Sequence, residues 1–207
     1  MPNCDAGLVS VLMSVYNGAP TLEKAAASVL AQTYRDLELI LCDDASTDDT
    51  WRIMQRIAAQ DARVTIFQNK TNLGLGASLN ECLARAQGAY IARQDADDVS
   101  DSDRIERTMD FLLSSGAPYA ACGVRVFDDT GIWSTRQFPQ KITKHIIAQK
   151  NPFFHPTMLF RRAVLESVNG YSTSPETRRT EDYDLVMRLA ALSLIHISEP
   201  TRLQLIS

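Results

Sequence analysis

The sequence predicts an α/β protein: a mostly parallel central sheet flanked by helices, with a smaller lobe beyond residue 116. Three observations predict it. Apolar, β-branched runs alternate four times with segments whose apolar residues recur at helical spacing. Three of those runs end in polar clusters, "YNG", "DDAST" and "DADD", at the strand ends where open α/β sheets bind ligands. No stretch rich in Gly, Pro or Ser divides the chain, so one domain with two lobes is expected, residues 1–116 and 117–191.

The elements follow in order. "LVSVLMSVY" (8–16) reads as a strand buried on both faces. Pro20 opens a helix with Leu22, Ala25, Ala26, Val29 and Leu30 on one side. "LELILC" (37–42) is a second strand, and a helix presenting Trp51, Met54, Ile57 and Ala58 follows it. "RVTIFQ" (63–68) precedes a helix carrying Leu79, Cys82, Leu83 and Ala86. "AYIAR" (89–93) precedes one marked by Ile105, Met109, Leu112 and Leu113. Beyond Ala117, "YAACGVRVF" reads as one more strand, "TGIWSTRQF" as a hairpin arm and "KITKHIIAQ" as a short helix.

Composition narrows the classes. The chain has 207 residues, 45% hydrophobic and 22% charged, with net charge −4. No basic tract offers a nucleic-acid footprint. No apolar run approaches the length of a membrane span, and "MPNCDAG" lacks the features of a signal peptide. Four single cysteines predict free thiols in a reducing cytoplasm rather than a zinc site. The last stretch, "LSLIHISEPTRLQLIS" (192–207), breaks the helical pattern and reads as a translated sequencing-library adapter. We expect it to be foreign, to pack poorly, and to replace a natural continuation beyond Ala191. His196 and Glu199 therefore carry no functional reading.

The acids divide by position. Asp103 and Glu106 fit a helix cap, Asp101 sits just before that helix, and Ser46-x-x-Asp49 has a capping-box pattern. Asp95 and Asp97, two apart at a strand end, can turn to one side and converge on a hard cation. A calcium loop counted from Asp95 fails, because Val99 and Ser100 stand where an oxygen ligand and Gly are needed. Asp43 and Asp44 end a strand, where a carboxylate can accept a base imino N–H or hold a turn. "NLGLG" (72–76) matches neither a dinucleotide fingerprint nor a P-loop and reads as a turn into a helix.

Together, "VSVLMSVYNGAPTLEKAAASVLAQTY", "LELILCDDASTDDT", "NLGLGASLN", "GAYIARQDADD", "HPTMLFRRAVLESVNGY" and "TEDYDLVMRLA" resemble the blocks of family 2 inverting glycosyltransferases, in order and spacing. The resemblance implies the GT-A fold and metal-dependent transfer of a sugar from a nucleotide-diphosphate donor, UDP above all, to a hydroxyl acceptor. It implies that Ser14 and Tyr16 frame the base, with Asp44 on its imino N–H. Asp95 would contact ribose or metal, and Asp97 would hold Mn2+ or Mg2+. Asp182 matches the catalytic base, with Glu181 as a second candidate; both acids also suit a helix start. His155 reads as structural or acceptor-side. The implied partners are a nucleotide sugar and a glycan or lipid-linked acceptor in polysaccharide or glycolipid synthesis. They imply a cytoplasmic setting, with contact at the inner face of the membrane or a homodimer left open.

The chemistry is coherent. The leaving diphosphate needs neutralising, the acceptor hydroxyl needs a base, and an oxocarbenium-like transition state is expected. Two rivals stand beside it. A sugar-nucleotide pyrophosphorylase wants a Gly-rich basic loop that "VYNGAP" lacks. A non-catalytic nucleotide- or metal-binding fragment would bind without turnover.

Overall fold

The computed structural model describes residues 7–128, 130–137, 142–192 and 202–206. The expectations for the first six residues, Cys4, the stretch 138–141 and residues 193–201 lie outside these. The chain opens with β1 (Val9–Val15), α1 (Leu22–Leu30), β2 (Leu37–Asp43), α2 (Thr50–Gln60), β3 (Val64–Gln68), α3 (Leu75–Arg85) and β4 (Tyr90–Arg93). It continues through β5 (Asp98–Ser100), α4 (Arg104–Ser115), β6 (Tyr119–Ala120), β7 (Gly123–Asp128) and β8 (Gly131–Arg136). Then come α5 (Lys144–Gln149), β9 (Leu159–Arg161), α6 (Arg162–Ser167), α7 (Glu181–Ala191) and β10 (Arg202–Ile206).

The main sheet has the order β3-β2-β1-β4-β9-β6. Its first four strands are parallel, and β9 runs antiparallel to both β4 and β6. Alternation along β1 sends Leu12 to one face and Val9, Val11 and Met13 to the other, so two cores form. Helices α1, α2 and α4 cover the second face, while α3 and α7 cover the first. Both faces are thus buried, as continuous apolar strands require.

The smaller sheet has the order β5-β10-β7-β8. Here the structure departs from the expectation in one place. "YAACGVRVF" is two strands on different sheets, with β6 in the main sheet and β7 in the second. Ala121 and Cys122 carry the chain between them and are buried. At the end of the chain, the backbone of β10 pairs antiparallel with β5 and parallel with β7. The strand satisfies edges that would otherwise leave backbone groups unpaired.

Candidate active site

The first, second and fourth strand ends meet at one rim. Asp44 N–H donates to Val15 O at 2.8 Å, and Gln94 N–H to Leu12 O at 3.2 Å. Asn17 and Ala45 sit in the left-handed region, with φ of 53° and 62°, and turn the chain sharply at the ends of β1 and β2. Asn17 N–H donates to Ser46 Oγ at 2.9 Å, and Asn17 Oδ1 accepts from Thr47 N–H at 2.8 Å, locking the two turns together. Ser14 is half-buried in β1, and Tyr16 projects from the rim, 53% exposed.

The capping-box expectation fails here for a geometric reason. Helix α2 starts at Thr50, too late for Ser46 to cap it. Asp48 instead accepts from Thr50 Oγ1 at 2.5 Å, Thr50 N–H at 3.0 Å and Ala19 N–H at 3.1 Å; burial pushes its pKa up, and these bonds, the Thr50 hydroxyl first, outweigh it and bring it down. Asp103 stands at the N-cap of α4 without a side-chain cap bond and pairs with Arg107 at 3.6 Å. Glu106 takes a bond from Thr33 Oγ1.

Asp44 is buried and accepts from Asn69 Nδ2 at 2.9 Å, Leu73 N–H at 2.8 Å and Gly74 N–H at 2.9 Å. It therefore holds the "NLGLG" turn, which Gly74, at φ 85°, leads into α3. A carboxylate offers about four lone-pair positions, so one remains for an outside donor.

Asp95, Asp97 and Asp98 bring carboxylate oxygens within 4.8 Å of one another. Strand alternation is not the cause, since β4 ends at Arg93 and the acids lie on a turn closed by Asp98 N–H to Asp95 O at 3.3 Å. Asp98, which no sequence pattern singles out, belongs with them. It opens β5, is 3% exposed, and completes the cluster. Burial, then the charges of Asp95 and Asp97, push its pKa up to about 8. Burial and Asp95 likewise raise that of Asp97.

Two buried arginines lie under this turn. Arg93 pairs with Asp95 and also donates to Gln94 O. Arg104 donates to Arg93 O at 3.3 Å and to Pro156 O at 3.2 Å. Gln94 staples the turn from within: Nε2 donates to Asp98 O at 3.0 Å, and Oε1 accepts from Ser100 Oγ at 2.6 Å. An arrangement that gathers three carboxylates suits a hard divalent cation with oxygen ligands, of the Mg2+ or Mn2+ kind.

Asp182 lies in the first turn of α7, half-buried, and its Oδ2 accepts from Asn151 Nδ2 at 2.8 Å. Burial dominates the upward shift of the Tyr171 hydroxyl, and the charges of Asp95 and Asp182 both add to it. Tyr171 OH meets His155 Nε2 at 3.0 Å. His155 is buried, and burial followed by the Arg93 charge holds its pKa well below 6.5. Glu181, next to Asp182, faces another way, toward Gly76 of α3.

Residues 10–168 match the family described as Glycosyl transferase family 2. The chain belongs to that family. It is 44% identical over 182 residues to EpsE of Bacillus subtilis, a protein named as a glycosyltransferase. That alignment covers 87% of this chain and 66% of EpsE. It is 34% identical over 131 residues to WfaP of Escherichia coli, named as a UDP-Glc:α-D-GlcNAc-diphosphoundecaprenol β-1,3-glucosyltransferase. There the coverage is 62% of this chain and 51% of WfaP. The chain thus spans only part of these relatives. Among solved structures, S. aureus TarS in complex with UDP matches with a TM-score of 0.77 at 21% identity, over 96% of this chain and 60% of that one. The mannosyltransferase PcManGT of Pyrobaculum calidifontis, in complex with GDP-Man and Mn2+, matches with a TM-score of 0.75 at 22% identity, over 95% and 56%. These likenesses establish the GT-A fold of the family 2 chain.

Sequence reading passed over Asp98, Arg93, Arg104, Asn151 and Tyr171. Arg93 and Arg104 carried a usable signal, since each interrupts an apolar pattern where a charge must find a partner. Asn151 carried none, because its partner lies in a distant helix.

Proposed function

We propose that this family 2 chain transfers a sugar from a nucleotide-diphosphate donor, UDP-linked, to a hydroxyl acceptor in polysaccharide or glycolipid synthesis, with inversion. One observation carries the reading. Three carboxylates suited to a cation gather where the ends of β1, β2 and β4 meet, and the charges of both Asp95 and Asp182 reach Tyr171. The names of WfaP and of the TarS and PcManGT complexes support the nucleotide-sugar donor.

In this reading residues 1–116 form the nucleotide lobe and 117–191 the acceptor side, with the tail from 192 foreign to the natural protein. Tyr16 packs against the base and Ser14 lies beneath it. Asp44 offers its remaining lone pair to an imino N–H, which uracil has and cytosine lacks. Asp97 and Asp95 would hold the divalent ion, with Asp98 behind them, and the ion would neutralise charge growing on the departing diphosphate. Asp182 accepts the proton of the acceptor hydroxyl as that oxygen attacks the anomeric carbon. Asn151 fixes the Asp182 carboxylate by one oxygen and leaves the other for the proton. Attack from the side opposite the leaving diphosphate inverts the centre. Arg93 and Arg104 hold the acids in place from below. The buried free thiols of Cys42, Cys82 and Cys122 suit a cytoplasmic setting.

Asp182→Asn tests the base. The expected outcome is loss of at least a hundredfold in transfer, in line with general-base contributions of about 10²–10⁴, with nucleotide affinity unchanged. A folded variant that loses nucleotide binding would contradict the assignment.

A further inference from the structure

None of the candidate site residues lies on the hairpin of β7 and β8. β8 is the outer strand of the smaller sheet, and all of it except Ser134 is exposed. Two of its residues are large and apolar: Ile132 is 55% exposed and Trp133 59%. Strict alternation would send such neighbours to opposite faces. Here the register slips: Val126 pairs with Ser134 and Phe127 with Ile132, which leaves Trp133 as an extra residue. A β-bulge of this kind re-aims a side chain and blunts an edge against pairing with another strand.

The charge that follows is of one sign. From Thr130 to Leu165 the sequence holds Arg136, Lys141, Lys144, Lys150, Arg161 and Arg162 and no Asp or Glu, in a chain of net charge −4. Arg161 and Arg162 are taken up by the fold: Arg161 donates to Ala117 O and Leu112 O, and Arg162 pairs with Glu166. Arg136, Lys144 and Lys150 are exposed. The stretch leaves the smaller sheet and comes back to it at one place, since Arg136 pairs with Val124 and Phe154 packs against Val124. Two acids border the hairpin, and both are engaged. Asp101 takes Arg125 on both oxygens, at 2.6 and 2.8 Å, and Asp128 accepts from Thr130 N–H at 2.8 Å.

Three kinds of partner compete for such a surface. A second copy, joined edge to edge, meets the bulge and sets like charge against like. A nucleic acid uses the cations and leaves Ile132 in water. An anionic lipid surface uses everything present: it attracts the cations, and its headgroup boundary takes an amphipathic Trp and the aliphatic residue beside it. We propose that the β8 edge is a docking surface for anionic lipid, with Ile132 and Trp133 entering the boundary and Arg136, Lys144 and Lys150 supplying the attraction. This surface lies outside the transfer chemistry, and its docking stands or falls independently of the glycosyl-transfer reading.

Co-sedimentation of the full chain with vesicles tests it, using phosphatidylcholine alone and an equimolar mixture with phosphatidylglycerol. The protein is expected to bind the anionic vesicles at least tenfold more tightly than the neutral ones, and to be released by high salt. Trp51→Phe leaves Trp133 as the one tryptophan of the chain, and its emission should shift to the blue on anionic vesicles. Trp133→Ser and, separately, Arg136→Gln/Lys150→Gln should each weaken binding by about tenfold, with thermal melts unchanged. A folded protein that ignores vesicles, binds both compositions equally, shows no blue shift or is indifferent to these substitutions would overturn the proposal. So would a lipid-free dimer that Trp133→Ser dissolves, or binding of an oligothymidylate in preference to the vesicles.

Discussion

His155 shows how a single buried group sets behaviour at a distance from the chemistry. Its ring is packed against Tyr171 and faces the positive field of Arg93, so it stays neutral in the folded protein. An unfolded chain would protonate it near pH 6.5. The folded pKa is depressed, so the unfolded state binds the extra proton first as pH falls. The stability linked to His155 is full above about pH 6.5 and is lost progressively below it. Urea melts at pH 7.5 and pH 5.5 should show this slope, and His155→Gln should flatten it. A His155 ring resonance that titrates near 6.5 would refute the account. Asp44 teaches a related lesson: its three hydrogen bonds to Asn69, Leu73 and Gly74 make it a loop organiser before it is anything else. Its replacement by Ala should cost about 1–3 kcal/mol, the penalty for stranding buried donors, read by the same melts.

At the scale of elements, close approach matters more than capping. A Cβ on Gly76 would lie 2.8 Å from Ser172 O, so α3 and the loop that carries Ser172 can meet only over a bare backbone. Gly76→Ala should destabilise by about 1–3 kcal/mol, the usual cost of overpacking. A thermal melt matching wild type would show that the two elements can part freely. The strands and helices of the first half were legible because each is long and strongly periodic: Val9, Val11 and Met13 against Leu12, or Met54 with Ile57. Asp95, Asp97 and Asp182 stand out in the sequence as candidates only through the family blocks that hold them. The acid turn itself was not, since "DADDVS" reads as loop and helix start, and only the pairing of β5 shows that Asp98 turns inward. Likewise "YAACGVRVF" gives no local sign that Ala121 and Cys122 carry the chain from one sheet to another.

At the scale of the molecule, the chain order β3-β2-β1-β4 puts the polar ends of β1 and β2 beside that of β4, and β9 and β6 then extend the sheet from the second half. The site is therefore built from residues far apart in sequence and depends on the whole sheet closing. At its centre, we propose, the acid turn holds a cation with a nucleotide diphosphate. The most direct measurement is calorimetric titration of UDP, dTDP, GDP and CDP into the protein, with and without Mn2+, repeated on Asp97→Asn. The account expects one imino-bearing nucleotide to bind with Mn2+, at least tenfold more weakly without it or in Asp97→Asn, and CDP to be rejected. Nucleotide binding that ignores both the metal and the Asp97 change would contradict it.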